Sequence, residues 1–305
     1  MKLMRVSVTV ILLSLLIVMV AGCQSSFSPG TFTDDFGRQV AIDEVPQRII
    51  SHVPGITETL FALGLEERVV GVSDFCNYPE AAKAKPKVGG FFNPSIENIV
   101  DLIPDLVLTN GDVEHLMTQL DSLGITYVVL HPDDIDGILQ DIELAGRVTG
   151  SESRAKELTK DMRERMARIV TRVQDAPRVK VFYTFATTDL NSPWTAGPGS
   201  FVDSLISLAG GENIGATALA PWVQFSLEEV VGSDPEVIIV DTSHGSAVTP
   251  INELKQHPIW REITAIKQGR IYPIDGDLVN RAGPRIFQGL EEMARMIHPE
   301  LFPRN

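Results

Sequence analysis

The sequence predicts an α/β fold of two Rossmann-like lobes joined by one long, rigid backbone helix. Three observations carry that prediction. Strand-like and helix-like segments alternate in both halves of the chain, a single amphipathic helix separates the halves, and a motif of the first half recurs in the second.

The alternation begins after a small hairpin. Residues 31–42 (TFTDDFGRQVAI) alternate around Asp35-Phe36-Gly37 and read as two short antiparallel strands. Arg48–Ser51 then starts a strand, Thr57–Leu63 is a helix closed by Gly64, and Val69–Val72 is the next strand. Leu106–Thr109 and Tyr127–Leu130 continue the series. A second series opens with Val179–Phe185 and runs through Ile238–Asp241 to Ile271–Asp275. Strands interleaved with helices imply parallel sheets.

Between the series, residues 151–174 (SESRAKELTKDMRERMARIVTRVQ) place Ala155, Leu158, Met162, Met166, Ile169 and Val173 at three- and four-residue steps, with charges between them. Ser151 is placed to cap this helix and Pro177 to stop it. At 1.5 Å per residue it is a spine of roughly 35 Å, which disfavours a large hinge motion. The repeat is SIENIVDLIPDLVL (95–108) against SLEEVVGSDPEVII (226–239). Ser95 and Ser226 are natural N-caps, so Glu97 and Glu228, 131 residues apart, fall in the first turn of equivalent helices. A carboxylate there complements the helix dipole by about 0.3–1 kcal/mol and needs no other purpose. Its recurrence on both lobes points instead to two docking points for a two-fold symmetric partner.

The chain's first 22 residues read as a lipoprotein signal peptide. Lys2 and Arg5 precede an apolar run over 6–20, and Val20-Ala21-Gly22-Cys23 follows. Cys23 is then the lipidated residue and 23–30 a polar tether. The body divides into an N-terminal lobe (31–150), the connecting helix (151–176) and a C-terminal lobe (177–305). About 280 mature residues exceed what one core usually serves. Removing the leader leaves 24 basic against 40 acidic residues, a net charge of −16, which argues against nucleic acid and anionic membrane surfaces as partners. Cys76 is then the one remaining cysteine, so no intrachain disulfide can form.

No catalytic signature stands out. Gly197-Pro198-Gly199-Ser200 lacks the Gly-Lys-Ser/Thr ending of a phosphate loop, and Ser200 is better placed as an N-cap. The six histidines lack ligand spacing, so no metal site and no resident cofactor are expected. Aromatic residues suited to a large flat ligand are Phe75, Phe91, Phe92, Phe185, Trp194 and Trp222, the last in a loop beside Pro221. His52 and His244 each follow a strand; a buried or merely polar role is favoured over supply of an axial ligand to cobalt or iron.

With these residues in view, the chain resembles the periplasmic binding proteins for vitamin B12 and ferric siderophores. The marks are RIISHVPGITETLFALGLEERVVGVSDFCNYP (48–79), the 94–108 block, WTAGPGSFVDSLISLAGGENI (194–214), PWVQFSLEEV (221–230) and NRAGPR (280–285). The resemblance covers essentially all of residues 31–300 and implies the class III solute-binding fold, with a ligand held between the lobes. It also implies that Glu97 and Glu228 meet arginines on the permease dimer of an ABC importer, which works with ATPase subunits. In the B12-binding branch, aromatics occur where Phe75, Phe91, Phe185 and Trp222 stand here, and a polar pair matches Asp277 and Arg281, able to bond corrin amides. Asn110 departs from that branch, which can carry tryptophan there. Haem-binding relatives commonly offer a tyrosine near Phe91 or Phe92, and none is present. Arg285 is read as structural. The expectation is therefore a monomeric, non-enzymatic lipoprotein on the extracytoplasmic face of the membrane, capturing a corrinoid. A ferric siderophore is the alternative ligand, and an exported enzyme or a sensor lipoprotein the alternative class.

Overall fold

The computed structural model describes residues 27–185, 189–242 and 248–303. The signal segment, Cys23 and His244 lie outside the described residues, among which no helix is long and apolar enough to cross a membrane.

The first lobe opens with the expected hairpin, β1 (Gly30–Thr33) against β2 (Gln39–Ile42). Its turn is pinned to the lobe: the Asp35 amide donates to the Val129 carbonyl (3.3 Å), and the His131 amide donates to Asp35 Oδ2 (2.5 Å). Then follow β3 (Ile49–Ser51), α1 (Pro54–Ala62), β4 (Val69–Val72), α2 (Ile96–Asp101), β5 (Leu106–Thr109), α3 (Glu114–Leu123), β6 (Tyr127–Val129) and α4 (Ile135–Val148). The sheet is parallel in the order β4-β3-β5-β6. Helix α1 starts three residues earlier than the pattern predicts because Pro54 occupies its first turn, where a missing N–H costs nothing.

The connecting helix α5 spans Glu152–Val173. Ser151 sits at its N-cap position without capping it; its hydroxyl instead faces the Arg68 guanidinium at 3.5 Å. Ala155, Met162, Ile169 and Val173 are buried in a hydrophobic core that is continuous from the first lobe into the second.

The second lobe comprises β7 (Val179–Phe185), β8 (Trp194–Ala196), α6 (Phe201–Leu208), β9 (Gly211–Asn213), β10 (Trp222–Gln224), α7 (Leu227–Ser233), β11 (Val237–Asp241), α8 (Val248–Gln256), α9 (Thr264–Lys267), β12 (Ile271–Ile274) and α10 (Ile286–Ile297). Its main sheet is parallel, β12-β11-β7-β9, and β8 and β10 form an antiparallel ribbon beside it.

In each sheet the first strand of the series lies inside the order, with later strands added on both sides. β3 and β7 are therefore topological switch points, and a crevice opens beyond their carboxyl ends. Those ends are Ser51-His52-Val53 in one lobe and Phe185 in the other.

Candidate functional site

A cavity of about 350 Å³ lies between the lobes at these strand ends. Val53, Pro54 and Gly55 form its wall on the first lobe, Asn280, Arg281 and Ala282 on the second, with Asn110, Asp112, His131 and Asp141 to one side. Two larger open grooves, about 1020 and 920 Å³, run beside α10 and Phe302. Neither is lined by residues from the carboxyl ends of the strands, so the smaller cavity is the candidate site.

Aromatic rings cluster on both lobes. Phe91 lines the cavity and stacks on His52, with centroids 5.9 Å apart and planes at 4°. Phe92 meets Phe91 edge-on at 4.6 Å, is 76% exposed, and Phe75 is 58% exposed. On the second lobe Phe185 and Trp222 stand 5.1 Å apart, and Tyr183 packs beneath them. Trp222 begins β10, paired with Ala196 of β8, and is not in a loop as the sequence suggested. That ribbon holds Trp194 and Trp222 partly exposed, at 42% and 36%.

His52 is buried, its Nδ1 at 3.1 Å from Thr109 Oγ1. Burial pushes its ring down to about 4, outweighing the nearby backbone of Phe91 and Gly90, so it is neutral and supports Phe91 from below.

The polar side of the crevice centres on Glu58, which sequence reasoning missed. It lies on α1, is 3% exposed, and receives guanidinium groups from the other lobe. Arg285 reaches it with two hydrogen bonds, Nε to Oε2 at 2.9 Å and Nη2 to Oε1 at 2.7 Å. Arg281 Nη1 donates to the same Oε1 at 3.1 Å and to Asn77 Oδ1 at 2.7 Å, while its Nη2 pairs with Asp277 Oδ2 at 2.6 Å. Burial works against the Arg285 charge, and the Glu58 hydrogen bonds and charge outweigh it, so its pKa is raised. The available signal was one carboxylate inside an otherwise uncharged helix, PGITETLFA. Its partners, more than two hundred residues away, left no local trace.

Asn280, next to Arg281, donates to Asp241 Oδ2 at 2.8 Å, and the Tyr183 hydroxyl donates to the same oxygen at 2.6 Å. This buried cluster fixes the 280–282 loop on β7 and β11. The structure thus places Phe91 and Arg281 in the cavity wall, with Asp277 paired to Arg281. Phe92 packs on Phe91, Phe75 is exposed on the first lobe, and Phe185 ends β7 with Trp222 of the ribbon packed on it; none of these four lines the cavity. Asn110 lines the cavity and bonds Asp112.

Glu97 and Glu228 stand apart from the crevice lining, each exposed at the second residue of its helix. Ser95 accepts from the Asn98 amide and Ser226 from the Glu229 amide, both at 3.2 Å. In α7 the reciprocal bond of the capping box comes from Glu229, leaving Glu228 outside the cap.

Two α/β lobes, a rigid connecting helix and a crevice at two switch points define a solute receptor. Residues 49–278 match the periplasmic binding protein family, and the chain belongs to it. It is 30% identical over 304 residues to an uncharacterized ABC transporter substrate-binding lipoprotein, YvrC, of Bacillus subtilis (strain 168), covering 93% of this chain and 95% of that one. A cobalamin-binding protein of Halobacterium salinarum is 32% identical over 286 residues, 88% of this chain and 74% of its own. Among solved structures, the periplasmic heme-binding protein RhuT from Roseiflexus sp. RS-1 aligns with a TM-score of 0.73 and 26% identity, covering 84% of this chain and 99% of that one. The chain is accordingly a substrate-binding protein of the ABC importer type, with the class III architecture, and not an enzyme.

Proposed function

We propose that this protein captures a corrinoid between its lobes and delivers it to the permease dimer of an ABC importer, whose ATPase subunits drive uptake. Cys23 is the lipid anchor that keeps it at the extracytoplasmic face, and Glu97 and Glu228 are the docking points. The protein acts as a monomer and carries no resident cofactor, the corrinoid being cargo.

The observation that carries the ligand reading is the pair of aromatic surfaces, Phe91 with Phe92 on one lobe and Phe185 with Trp222 on the other, left partly exposed at the strand ends. Ring faces suit a broad, flat, partly apolar macrocycle. Asp277 and Arg281 supply an acceptor and a donor for its amide side chains. The likeness to a cobalamin-binding protein supports the same reading.

Haem is the second reading, raised by the likeness to RhuT. Two features count against it: no tyrosine stands at 91 or 92, and His52 lies buried beneath Phe91. Titration of the purified protein with cyanocobalamin, cobinamide, haem and ferric siderophores decides between them. Corrinoid binding tighter than about 10 μM, equivalent to about −7 kcal/mol, is expected. Saturation by haem or a ferric chelate without corrinoid binding would replace the assignment.

A further inference from the structure

Among the described residues that line the cavity, Arg281 is the one lysine or arginine, and its charge is already matched. Glu58 and Asp277 face Arg281 and Arg285, two carboxylates against two guanidinium groups, all held by hydrogen bonds or ion pairs of 2.6–3.1 Å. The other ionisable groups among the described lining residues are Asp112, Asp141 and His131, and His131 Nδ1 lies 3.5 Å from Asp112. A ligand carboxylate would therefore enter beside Asp112 and find no unmatched lysine or arginine among the described residues.

We propose that Glu58 is a specificity-determining residue. By neutralising Arg281 and Arg285 from the first lobe, it makes the receptor accept corrinoids whose peripheral acyl groups are amides and reject those bearing carboxylates. This rests on the corrinoid reading above and adds a charge rule to it. A carboxylate at Arg281 would be a third anionic group beside two guanidinium groups that Glu58 and Asp277 already match, so one negative charge would stand uncompensated among largely buried side chains, which is strongly unfavourable. An amide asks for less. Arg281 uses both Nη1 hydrogens on Glu58 and Asn77 and one of Nη2 on Asp277, which leaves the second Nη2 hydrogen and the Nε–H for a neutral carbonyl.

The test compares the affinities of the purified protein for dicyanocobinamide, whose periphery is amide, and dicyanocobyrinic acid, which carries seven carboxylates on the same ring. The wild-type protein should prefer the amide probe at least 100-fold. Glu58→Gln keeps the side chain's shape but removes its charge, and should shrink that preference at least tenfold, mainly by tightening the carboxylate probe. If Glu58 were only a brace between lobes, both affinities would fall together and the preference would stay, which overturns the proposal. Should Glu58→Gln fail to fold, Asp277→Asn unmasks Arg281 from its more exposed side while leaving Glu58 on Arg285, and the preference must shrink there too. Wild-type protein that binds both probes alike overturns this inference alone. Wild-type protein that binds neither overturns the corrinoid reading and this inference with it.

Discussion

Asp141 lines the cavity with 8% exposure and is hydrogen-bonded to Asp35, the residue that pins the hairpin turn. Burial pushes its carboxyl up to about 9, and the hydrogen bond and charge of Asp35 push the same way. The folded state therefore holds a proton that the unfolded chain releases near pH 4. Because the folded value is the raised one, this contribution is complete below about pH 4 and is lost as pH rises through about 9. His52 works in the opposite sense: its folded value of about 4 lies below the ordinary 6.5, so its contribution is present above 6.5 and lost as pH falls through about 4. Asp141→Asn keeps an amide donor for Asp35 and has no proton to lose. Thermal unfolding from pH 5 to 9 should show a wild-type melting temperature that declines more steeply than the variant's, with the variant the more stable at the alkaline end. Parallel profiles would show that Asp141 does not titrate in this window.

Helix α7 separates a helix cap from a surface carboxylate within one local signal. Ser226 accepts from the Glu229 amide at 3.2 Å, and Glu229 Oε2 accepts from the Ser226 amide at 2.7 Å, so the first turn is closed by residues 226 and 229. Glu228, between them, is left to the surface. Ser226→Ala should cost about 1 kcal/mol, or about 2–4 °C in melting temperature, whereas Glu228→Ala should cost clearly less; equal losses would make Glu228 part of the cap. The N-cap serine with a glutamate two residues on was legible in the sequence because it is written within three residues and repeated in register. The α5 stripe was legible for a similar reason, its period being that of the helix itself. What failed were features whose partners lie elsewhere in the chain. Thr159 interrupts the apolar stripe because its hydroxyl bonds Glu143 on α4, and Ser151 does not cap because its hydroxyl faces Arg68 from before β4. Pro221 marks Trp222 as loop in the sequence, and only its pairing with Ala196 makes it strand. Asp277 and Arg281 came into view only through the family resemblance, and Glu58 through neither that resemblance nor its sequence neighbours.

At the scale of the whole molecule, the two lobes are joined twice. The continuous core along α5 is one joint, and the other crosses the crevice where α1 meets the 280–285 segment. There the chains approach backbone to backbone: a Cβ on Gly55 would lie 2.3 Å from the Ala282 carbonyl oxygen, closer than real Cβ contacts reach. Gly55→Ala should therefore push the lobes apart and weaken ligand binding at least tenfold, with the far-ultraviolet circular dichroism of both sheets kept; unchanged affinity would mean that the crossing does not set the crevice width. Joints at both places leave little freedom for opening, so Glu97 and Glu228 should be held at a nearly fixed separation, as a rigid two-fold partner requires. Exposed ion pairs contribute only about 0.2–1 kcal/mol each, so glutamates docking here would act mainly through register and association rate. Reversing one of them, Glu97→Lys or Glu228→Lys, should slow association with the permease in reconstituted vesicles and reduce its dependence on salt. Reversing both should abolish uptake, because a like charge then stands at each contact. Ligand affinity should stay within twofold throughout, since neither glutamate lines the cavity. Uptake that survives the double reversal, with the protein folded and loaded, would place the importer contact on another face.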